Sequence, residues 1–366
     1  MKYYTDMWIL MMIKKNKFPV LILFLLILSS AGSKGQSDTL QVTQSITAKP
    51  LFLSEEALNI IVEANFKEIK KDRDLERPYH RATLKHIEGN DTTVFHIKLK
   101  TRGNFRLKCE NCDFPPLKFN FDKDSVHNTV FEGQDKLKMV THCRDKSERL
   151  QACTVKEYLA YKAYNLISEI SFNVRLVNIT YVDTGDENNA LRKVAFFIED
   201  KDDMASRNGM DEMKVANIHQ LNTDYFKMAE LALFQYMIGN TDWSVPKLHN
   251  IILLKKETHS PPVAVPYDFD WAGLVNAPYA KPAPQVDAVN VKQRVYRGYK
   301  RSLDEMEKPI RKFIDAKSSV IDLFIDFEYL ELKEKQKCLK YINEFYQVIE
   351  SKPAVRREIV YGARSK

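Results

Sequence analysis

Glycine is scarce in this sequence, with 11 in 366 residues. No glycine-rich phosphate loop is visible, so a bound nucleotide would need its phosphates covered by other means. The Gly-x-Ser-x-Gly elbow of α/β-hydrolases is also missing, which leaves a Ser-His-Asp hydrolase without support. Beyond Leu28 no segment approaches 18 consecutive apolar residues, so the sequence predicts no membrane span after its leader.

The chain also lacks a strong excess of one charge. Of 56 basic and 49 acidic side chains, residues 1–35 contain five Lys and one Asp, which leaves 51 and 48 for the rest. This near balance argues against a nucleic-acid partner, because nucleic-acid-binding surfaces show a clustered basic footprint. We interpret the single late basic stretch, Lys292–Lys300, as a solvated face.

An apolar leader precedes the main body of the chain. Lys14, Lys15 and Lys17 are followed by the apolar run Phe18–Leu28 and then by the small residues Ser29–Ser33. The run is too short to span a bilayer comfortably, and the pattern is typical of a cleaved secretory signal. We therefore predict a signal peptide over 1–35, a polar linker over 36–50, and export to the periplasm or the extracellular space. No stable membrane span is expected after signal cleavage.

Cysteine is limited to five residues. In an oxidising compartment, disulfides persist. The pair Cys109 and Cys112 is open to three interpretations: a structural disulfide, a redox pair, or half of a zinc site completed by His142 and Cys143. A redox role is disfavoured because the motif runs into Asp113-Phe-Pro-Pro116 instead of a helix start. Cys338 lies on a helical pattern and is expected to be buried.

The two halves of the body differ in their hydrophobic periodicity. Period-two alternation over 94–100 and 117–121 predicts strands, and a third strand is expected at 137–141. A helix is predicted from Thr154, because Thr154 and Glu157 fit a capping box. Beyond residue 200, Asp224–Ile238 predicts a helix ended by Gly239, and helical patterns cover most of 303–350.

This arrangement predicts an α+β fold with two lobes. A β-rich N-terminal lobe with one main helix spans 51–200, and a helix-rich C-terminal lobe spans 201–366. No internal repeat is visible.

The segment Gly239–Trp271 has the order of groups that phosphoryl transfer requires. One carboxylate must orient or deprotonate the acceptor hydroxyl, while an Asn and a second carboxylate hold the magnesium that bridges the nucleotide phosphates. Asp242 follows a helix, Asn250 precedes a strand, and Asp268 and Asp270 follow the next strand. If these two acids continue the strand, they share one face.

This segment resembles the atypical kinases of the spore-coat protein H type and, more loosely, those of the HipA type and the lipid kinases. The resemblance implies that Asp242 is the catalytic-loop Asp, that Asn250 and Asp268 or Asp270 bind the metal, and that Lys247 matches the Lys-x-x-Asn spacing. It also covers Thr101-Arg-Gly-Asn104 and Pro115–Phe119, which makes Lys118 the implied phosphate-pairing lysine with Glu157 as its partner, and places Glu199 near the interlobe hinge.

Two features depart from that family. Asp242 and Asn250 lie eight residues apart where the family usually has about five, so Trp243–Pro246 must bulge. The second departure is the missing phosphate loop. The chain also resembles a group of uncharacterised exported bacterial proteins with similar Tyr-Asp-Phe-Asp-Trp and Cys-Asp-Phe-Pro-Pro segments, which implies no activity.

The resemblance implies an exported kinase-like phosphotransferase that uses ATP and Mg²⁺ and acts on a protein or an envelope polyol. Two alternatives stay open from the residues alone. One is a non-catalytic binding or scaffold protein of the same fold. The other is a metal-dependent phosphoester hydrolase built from Asp242, His249, Asp268 and Asp270. The oligomeric state is not predicted.

Overall fold

The computed structural model describes residues 48–74, 76–186 and 190–365. The predicted signal peptide and most of the predicted linker lie outside these ranges. The described residues belong to one compact unit, and the division into lobes near residue 200 stays a prediction. None of the helices in the described ranges is long and apolar enough to cross a membrane.

Seven strands close into a barrel in the first half of the chain. Their order around the barrel is β1-β2-β3-β4-β5-β7-β6, and β1 closes the ring by pairing in parallel with β6. The strands are β1 Leu58–Ala64, β2 His80–Glu88, β3 Asp91–Thr101, β4 Leu117–Asn120, β5 Lys136–Val140, β6 Val174–Asp183 and β7 Ala190–Ile198. The three predicted strands correspond to β3, β4 and β5.

The barrel interior forms one apolar core and the second half of the chain forms another. The barrel core contains Phe95, Phe119 and Phe131 among other inward-facing residues. The second core joins the barrel to a three-stranded sheet and the remaining helices. A mixed fold of helices and sheet is therefore confirmed, but the closed barrel is not the open β-lobe that a two-lobed kinase fold leads one to expect.

Helices dominate the rest of the chain. The helices are α1 Phe66–Ile69, α2 Glu148–Ile167, α3 Lys201–Arg207, α4 Tyr225–Ile238, α5 Leu303–Asp315, α6 Lys317–Ile325, α7 Leu332–Ile349 and α8 Lys352–Val355. The small sheet has the order β10-β9-β8, with β8 Asp211–Glu212, β9 Ile251–Lys255 and β10 Val263–Pro266. The helix predicted to end at Gly239 is confirmed as α4.

The predicted start of α2 is wrong. The helix begins at Glu148, where the Ser147 hydroxyl accepts a hydrogen bond from the Leu150 amide. Thr154 lies inside the helix, and its hydroxyl donates to the carbonyl oxygen of Thr141 at 2.9 Å. Glu157 therefore has no capping role, because it lies on a buried face in the middle of the helix.

One disulfide joins Cys112 to Cys143, 31 residues apart. Of the three interpretations of Cys109 and Cys112, the structure supports a structural disulfide, although with a different partner. Cys109 is a free, exposed thiol, so these two residues do not pair with each other. The bond fixes the loop after β3 to the segment after β5. Cys338 is buried, as predicted.

The interpretation of Lys292–Lys300 as a solvated face is wrong for its arginines. Arg294 lies over the Tyr341 ring, with its guanidinium 3.6 Å from the ring centroid. Arg297 is buried and donates to the carbonyl oxygen of Trp243 at 2.7 Å. The exposed residues of the stretch are Lys292, Gln293 and Lys300.

Candidate functional site

The loop that follows α4 is held from several directions. Gly239 ends the helix in the left-handed conformation, with φ 65°. The side-chain oxygen of the buried Asn240 accepts a hydrogen bond from the Asp242 amide at 2.9 Å. Arg297 donates to the carbonyl oxygens of Thr241 and Trp243. Because these contacts fix the backbone on both sides of Asp242, they also fix where its carboxylate points.

The unusual eight-residue spacing in this loop has a structural reason. Ser244 and His249 form an isolated antiparallel bridge, with amide-to-carbonyl distances of 2.9 and 3.0 Å. The bridge closes residues 244–249 into a tight loop and returns the chain to its starting point. Asn250 consequently lies beside Asp242 despite the insertion, and the predicted bulge is present.

The carboxylate of Asp242 is oriented by two neighbours. His249 Nε2 lies 2.8 Å from Asp242 Oδ1, and Asn250 Nδ2 donates to Asp242 Oδ2 at 3.0 Å. The side-chain amide of Asn250 also donates to the Asp242 carbonyl oxygen at 2.8 Å. Since Asn250 uses its nitrogen in these bonds, its side-chain oxygen stays available for another partner.

Asp268 lies next to this loop. The Tyr267 amide donates to the Asn250 carbonyl oxygen at 3.1 Å, and the Asp268 amide donates to Tyr161 Oη at 2.8 Å. Asn250 and Asp268 both have left-handed backbone, with φ 53° and 61°. Non-glycine residues adopt this conformation infrequently, and such strain clusters at functional sites.

Asp268 and Asp270 occupy different environments. The strand β10 ends at Pro266, so the expectation that both acids share a strand face is wrong. Asp268 is exposed and lines a cavity, and neither of its carboxylate oxygens has a hydrogen-bonding partner in the described ranges. Asp270 is buried, and its Oδ2 accepts a hydrogen bond from Tyr279 Oη at 2.9 Å. Asp268 is therefore the acid that faces the cleft.

The acids of the site repel one another in a poorly hydrated region. Burial, followed by the charge of Asp268, raises the pKa of Asp270 to about 7. Although Asp268 is exposed to the cavity, the protein packed around its carboxyl also raises its pKa, while Arg102 and Arg106 oppose that rise. The pKa of Glu157 is well above its ordinary value because of burial and the charges of Asp270 and Asp268. Such a cluster favours binding of a cation, which would stabilise the ionised carboxylates.

A cavity of about 320 Å³ opens beside Asp268. The lining includes the apolar Val140, Ile198 and Leu253, and its charged residues include Asp268, Arg102 and Lys138. Neither of these two cations forms a side-chain hydrogen bond or an ion pair in the described part of the chain. The volume and the mixed lining are typical of a small-ligand pocket. An apolar ring system with an anionic tail fits this distribution of groups.

The predicted ion pair between Lys118 and Glu157 is not formed. Glu157 is buried, and its Oε2 lies 3.8 Å from Arg106 Nη1. Lys118 lies on β4, directly opposite Lys138 of β5, but does not line the cavity. The lysine at the cavity is therefore Lys138, one strand further along the barrel.

Two other predicted residues lie apart from the cleft acids. Lys247 is exposed at the tip of the closed loop, and no ion pair of its side chain is present in the described ranges. Glu199 follows β7 directly, but both of its carboxylate oxygens bind Arg207, at 3.0 and 2.9 Å. It also accepts a hydrogen bond from the Asn173 amide at 2.9 Å. These bonds give Glu199 a structural role.

Sequence reasoning missed Arg102, Arg106, Lys138 and Tyr279 as residues of this site. Arg102 belongs to the Thr101–Asn104 turn. The resemblance covers this turn but implies no role for the arginine. Lys138 alternates with apolar neighbours in the third predicted strand, so pairing that strand with β4 in register would have identified it. The positions of Arg106 and Tyr279 depend on loop folding that no periodicity reveals.

The donors at the cleft fit a divalent ion such as Mg²⁺. The Asn250 side-chain oxygen and the Asp268 carboxylate are hard oxygen ligands without a competing protein partner. In the ranges that the structure covers, no group of three or more His, Cys, Asp or Glu is arranged to hold a metal ion. A two-ligand site suits Mg²⁺, which commonly binds one or two protein groups and completes its shell with water and substrate phosphates.

Comparisons with known proteins give only distant neighbours. No protein-family model matches this chain, and no curated protein matches it. A crystal structure of the Golgi casein kinase with Mn and ADP bound has a TM-score of 0.33 and 8% identity, over 66% of this chain and 70% of its own. A second crystal structure of the Golgi casein kinase has a TM-score of 0.33 and 10% identity, over 85% of this chain and 78% of its own. TM-scores this low do not establish a shared fold, so the site rests on the residues of this chain.

Proposed function

We propose that this protein is a kinase-like phosphotransferase that binds ATP with Mg²⁺ in the cavity beside Asp268. One observation carries the proposal: the Asp268 carboxylate and two cations, Arg102 and Lys138, line the same small cavity without hydrogen-bonding or ion-pair partners in the described ranges. The apolar lining would receive the adenine ring, and Arg102 and Lys138 would bind phosphate oxygens. The two-lobed kinase-like architecture, the specific likeness to the spore-coat type and the exported location belong to this proposal as well.

The residues of the site support a direct transfer. Asn250 and Asp268 would hold Mg²⁺, which neutralises charge on the phosphates when it is bound. Asp242, whose carboxylate is oriented by His249 and Asn250, accepts the proton of an acceptor hydroxyl on a protein or a polyol. The hydroxyl oxygen then forms a bond to the γ-phosphorus, while the bond from that phosphorus to the β-γ bridging oxygen breaks and ADP leaves. Positioning and charge complementarity supply most of the effect in such transfers.

Asp268→Ala is expected to remove nucleotide stabilisation. In the parent protein, ATP with Mg²⁺ at a hundred times its Kd should add about 2.7 kcal/mol to the free energy of unfolding. The variant should lose most of this gain, because the phosphates lose the ion that Asp268 helps to hold. Thermal denaturation with and without nucleotide measures the difference.

Asp315→Ala serves as the matched control, because this carboxylate is exposed on α5 and far from the cleft in sequence. An equal shift in melting temperature in the parent and both variants would show that Asp268 does not take part in nucleotide binding. No shift in any of them would refute nucleotide binding. A shift without transfer to any acceptor would favour the non-catalytic alternative.

A further inference from the structure

The outer face of the barrel carries a dense group of positive charges. Six side chains on four adjacent strands form this cationic face: Arg81 on β2, Lys98 and Lys100 on β3, Lys118 on β4, and Lys136 and Lys138 on β5. All six occupy the positions that alternate with buried residues, so they point away from the barrel core.

The strand register brings these charges directly against one another. Lys118 lies opposite Lys100 on one side and opposite Lys138 on the other. In the neighbouring row, Lys98 lies opposite Arg81. Like charges in directly opposed positions destabilise a sheet, so this arrangement lowers the stability of the folded protein.

No ion pair within the described ranges compensates these six cations. The acid whose charge acts on both Lys118 and Lys138 is Asp200, whose carboxylate accepts a hydrogen bond from the Asp202 amide at the start of α3. Protection of a sheet edge does not account for the lysines either, because a closed barrel has no edges. No acid occupies an outward position on these four strands between the six cations; Glu63 and Asp122 lie at the border of the face, beside Arg81 and Lys98.

The cationic face is continuous with the candidate cleft. Lys138 belongs to the face and also lines the cavity beside Asp268. The remaining five cations lie outside the cavity lining. A nucleoside triphosphate bound in the cavity cannot contact all of them. A ligand that covers them must be an extended polyanion that passes the mouth of the cleft.

We propose that the cationic face docks an extended, carboxylate-rich segment of a partner protein. Neighbouring strands lie about 4.8 Å apart, and alternate residues along one strand about 6.8 Å apart. Alternate side chains of an extended peptide repeat at that second distance. Two acidic residues in alternate positions can therefore pair with Lys98 and Lys100, or with Lys136 and Lys138. This is the spacing of a peptide. The face has one aromatic contact, that of Lys100 with the Tyr79 ring at 4.7 Å, whereas single-stranded nucleic acid stacks its successive bases on several aromatic side chains.

A lipid surface fits the face less well. Val94 is the single large hydrophobic side chain of the four strands that stands more than half exposed, at 51%. Peripheral membrane binding requires apolar groups that insert at the headgroup boundary in addition to charge. Docking itself rests on the cations alone, and only the role of the segment as the phosphate acceptor rests on the proposed function.

The test is the binding of a fluorescent peptide of alternating Glu and Ser, measured by anisotropy without nucleotide. Lys98→Gln combined with Lys136→Gln should raise the Kd roughly fivefold, because two exposed charges are removed. Lys333→Gln with Lys340→Gln removes two exposed charges from α7 and should leave the Kd within twofold. The parent affinity should fall as salt is added.

Each other outcome overturns the proposal. Equal weakening in the two double variants would show a diffuse charge effect instead of a docking face. Tighter binding of an anionic lipid vesicle or of a single-stranded oligonucleotide, lost in the same Lys98/Lys136 variant, would assign the face to that partner. Thermal stabilisation by ATP with Mg²⁺ is measured separately, so failure of peptide docking and failure of nucleotide binding are distinguishable.

Discussion

Asp242→Asn is expected to reduce phosphoryl transfer by about two to four orders of magnitude, the range that general base catalysis contributes. The amide cannot accept the proton of the acceptor hydroxyl, whereas the side chain keeps its size and its one oxygen can still accept the hydrogen bond from Asn250. Single-turnover measurement of product with ATP and Mg²⁺ gives the rate directly.

Nucleotide binding separates this effect from a folding defect. Asp242→Asn should keep the thermal stabilisation by ATP with Mg²⁺, because the proposed metal ligands are Asn250 and Asp268. Asp315→Asn, an exposed acid on α5, should retain the parent rate. If Asp242→Asn keeps the parent rate while Asp268→Ala loses both the rate and the stabilisation by nucleotide, the proton acceptor is a residue other than Asp242.

Asp270→Asn is expected to stabilise the ligand-free protein at pH 8 by up to about 4 kcal/mol. The carboxyl has a folded-state pKa of about 7, raised from 3.8. Between these two values the folded state holds a proton that the unfolded state has lost, so stability falls as the pH rises through this window. Above pH 7 the full penalty is present in the parent and absent from the variant. The Asn oxygen can still accept the hydrogen bond from Tyr279.

Urea denaturation at several pH values measures this difference. The two proteins should have similar stability near pH 4 and diverge as the pH rises to 8. Because Asp268 and Glu157 titrate with Asp270, the transition belongs to the cluster. Asp315→Asn should show no such divergence. A difference that is constant with pH, or a less stable variant at pH 8, would contradict the account of these acids.

The same acids predict how metal binding responds to pH. A divalent ion binds the ionised carboxylates, so its binding releases protons wherever the ligand-free cluster still holds them. Stabilisation by ATP with Mg²⁺ should therefore increase from pH 6 to pH 8, in the opposite direction to the stability of the ligand-free protein.

The elements with local signals were predictable. Helix α4 and its end at Gly239 follow from helical periodicity and a glycine at the C-cap. The strands β3, β4 and β5 follow from period-two alternation. Closure of the barrel does not follow, because it depends on parallel pairing of β1 with β6, in which Leu58 lies opposite Val177. No pattern within either strand specifies a partner more than a hundred residues away.

The start of α2 shows how a local motif misleads. The Thr154–Glu157 spacing fits a capping box, but the same spacing occurs inside a helix, where a threonine hydroxyl bonds to backbone of the preceding turn. Thr154 does this through the Leu150 carbonyl oxygen, at 3.4 Å. The actual cap at Ser147 has no Glu at the third helical position and so gives a weaker signal.

The candidate site also contains some residues that were predictable from the sequence and others that were not. Asp242 and Asn250 were predictable because one short loop holds both, and the bridge between Ser244 and His249 absorbs the extra residues. Arg102 and Arg106 were not, because the loop after β3 is held in place by the Cys112–Cys143 disulfide and by the hydrogen bond from Arg106 to the Thr141 carbonyl oxygen. Those contacts join segments that are distant in sequence.

An anomalous difference map from crystals soaked with Mn²⁺ and ADP tests the central claim most directly. The account predicts a peak between the Asn250 side-chain oxygen and the Asp268 carboxylate, with the diphosphate directed toward Arg102 and Lys138. A nucleotide bound elsewhere, or a metal peak that touches neither Asn250 nor Asp268, would contradict it.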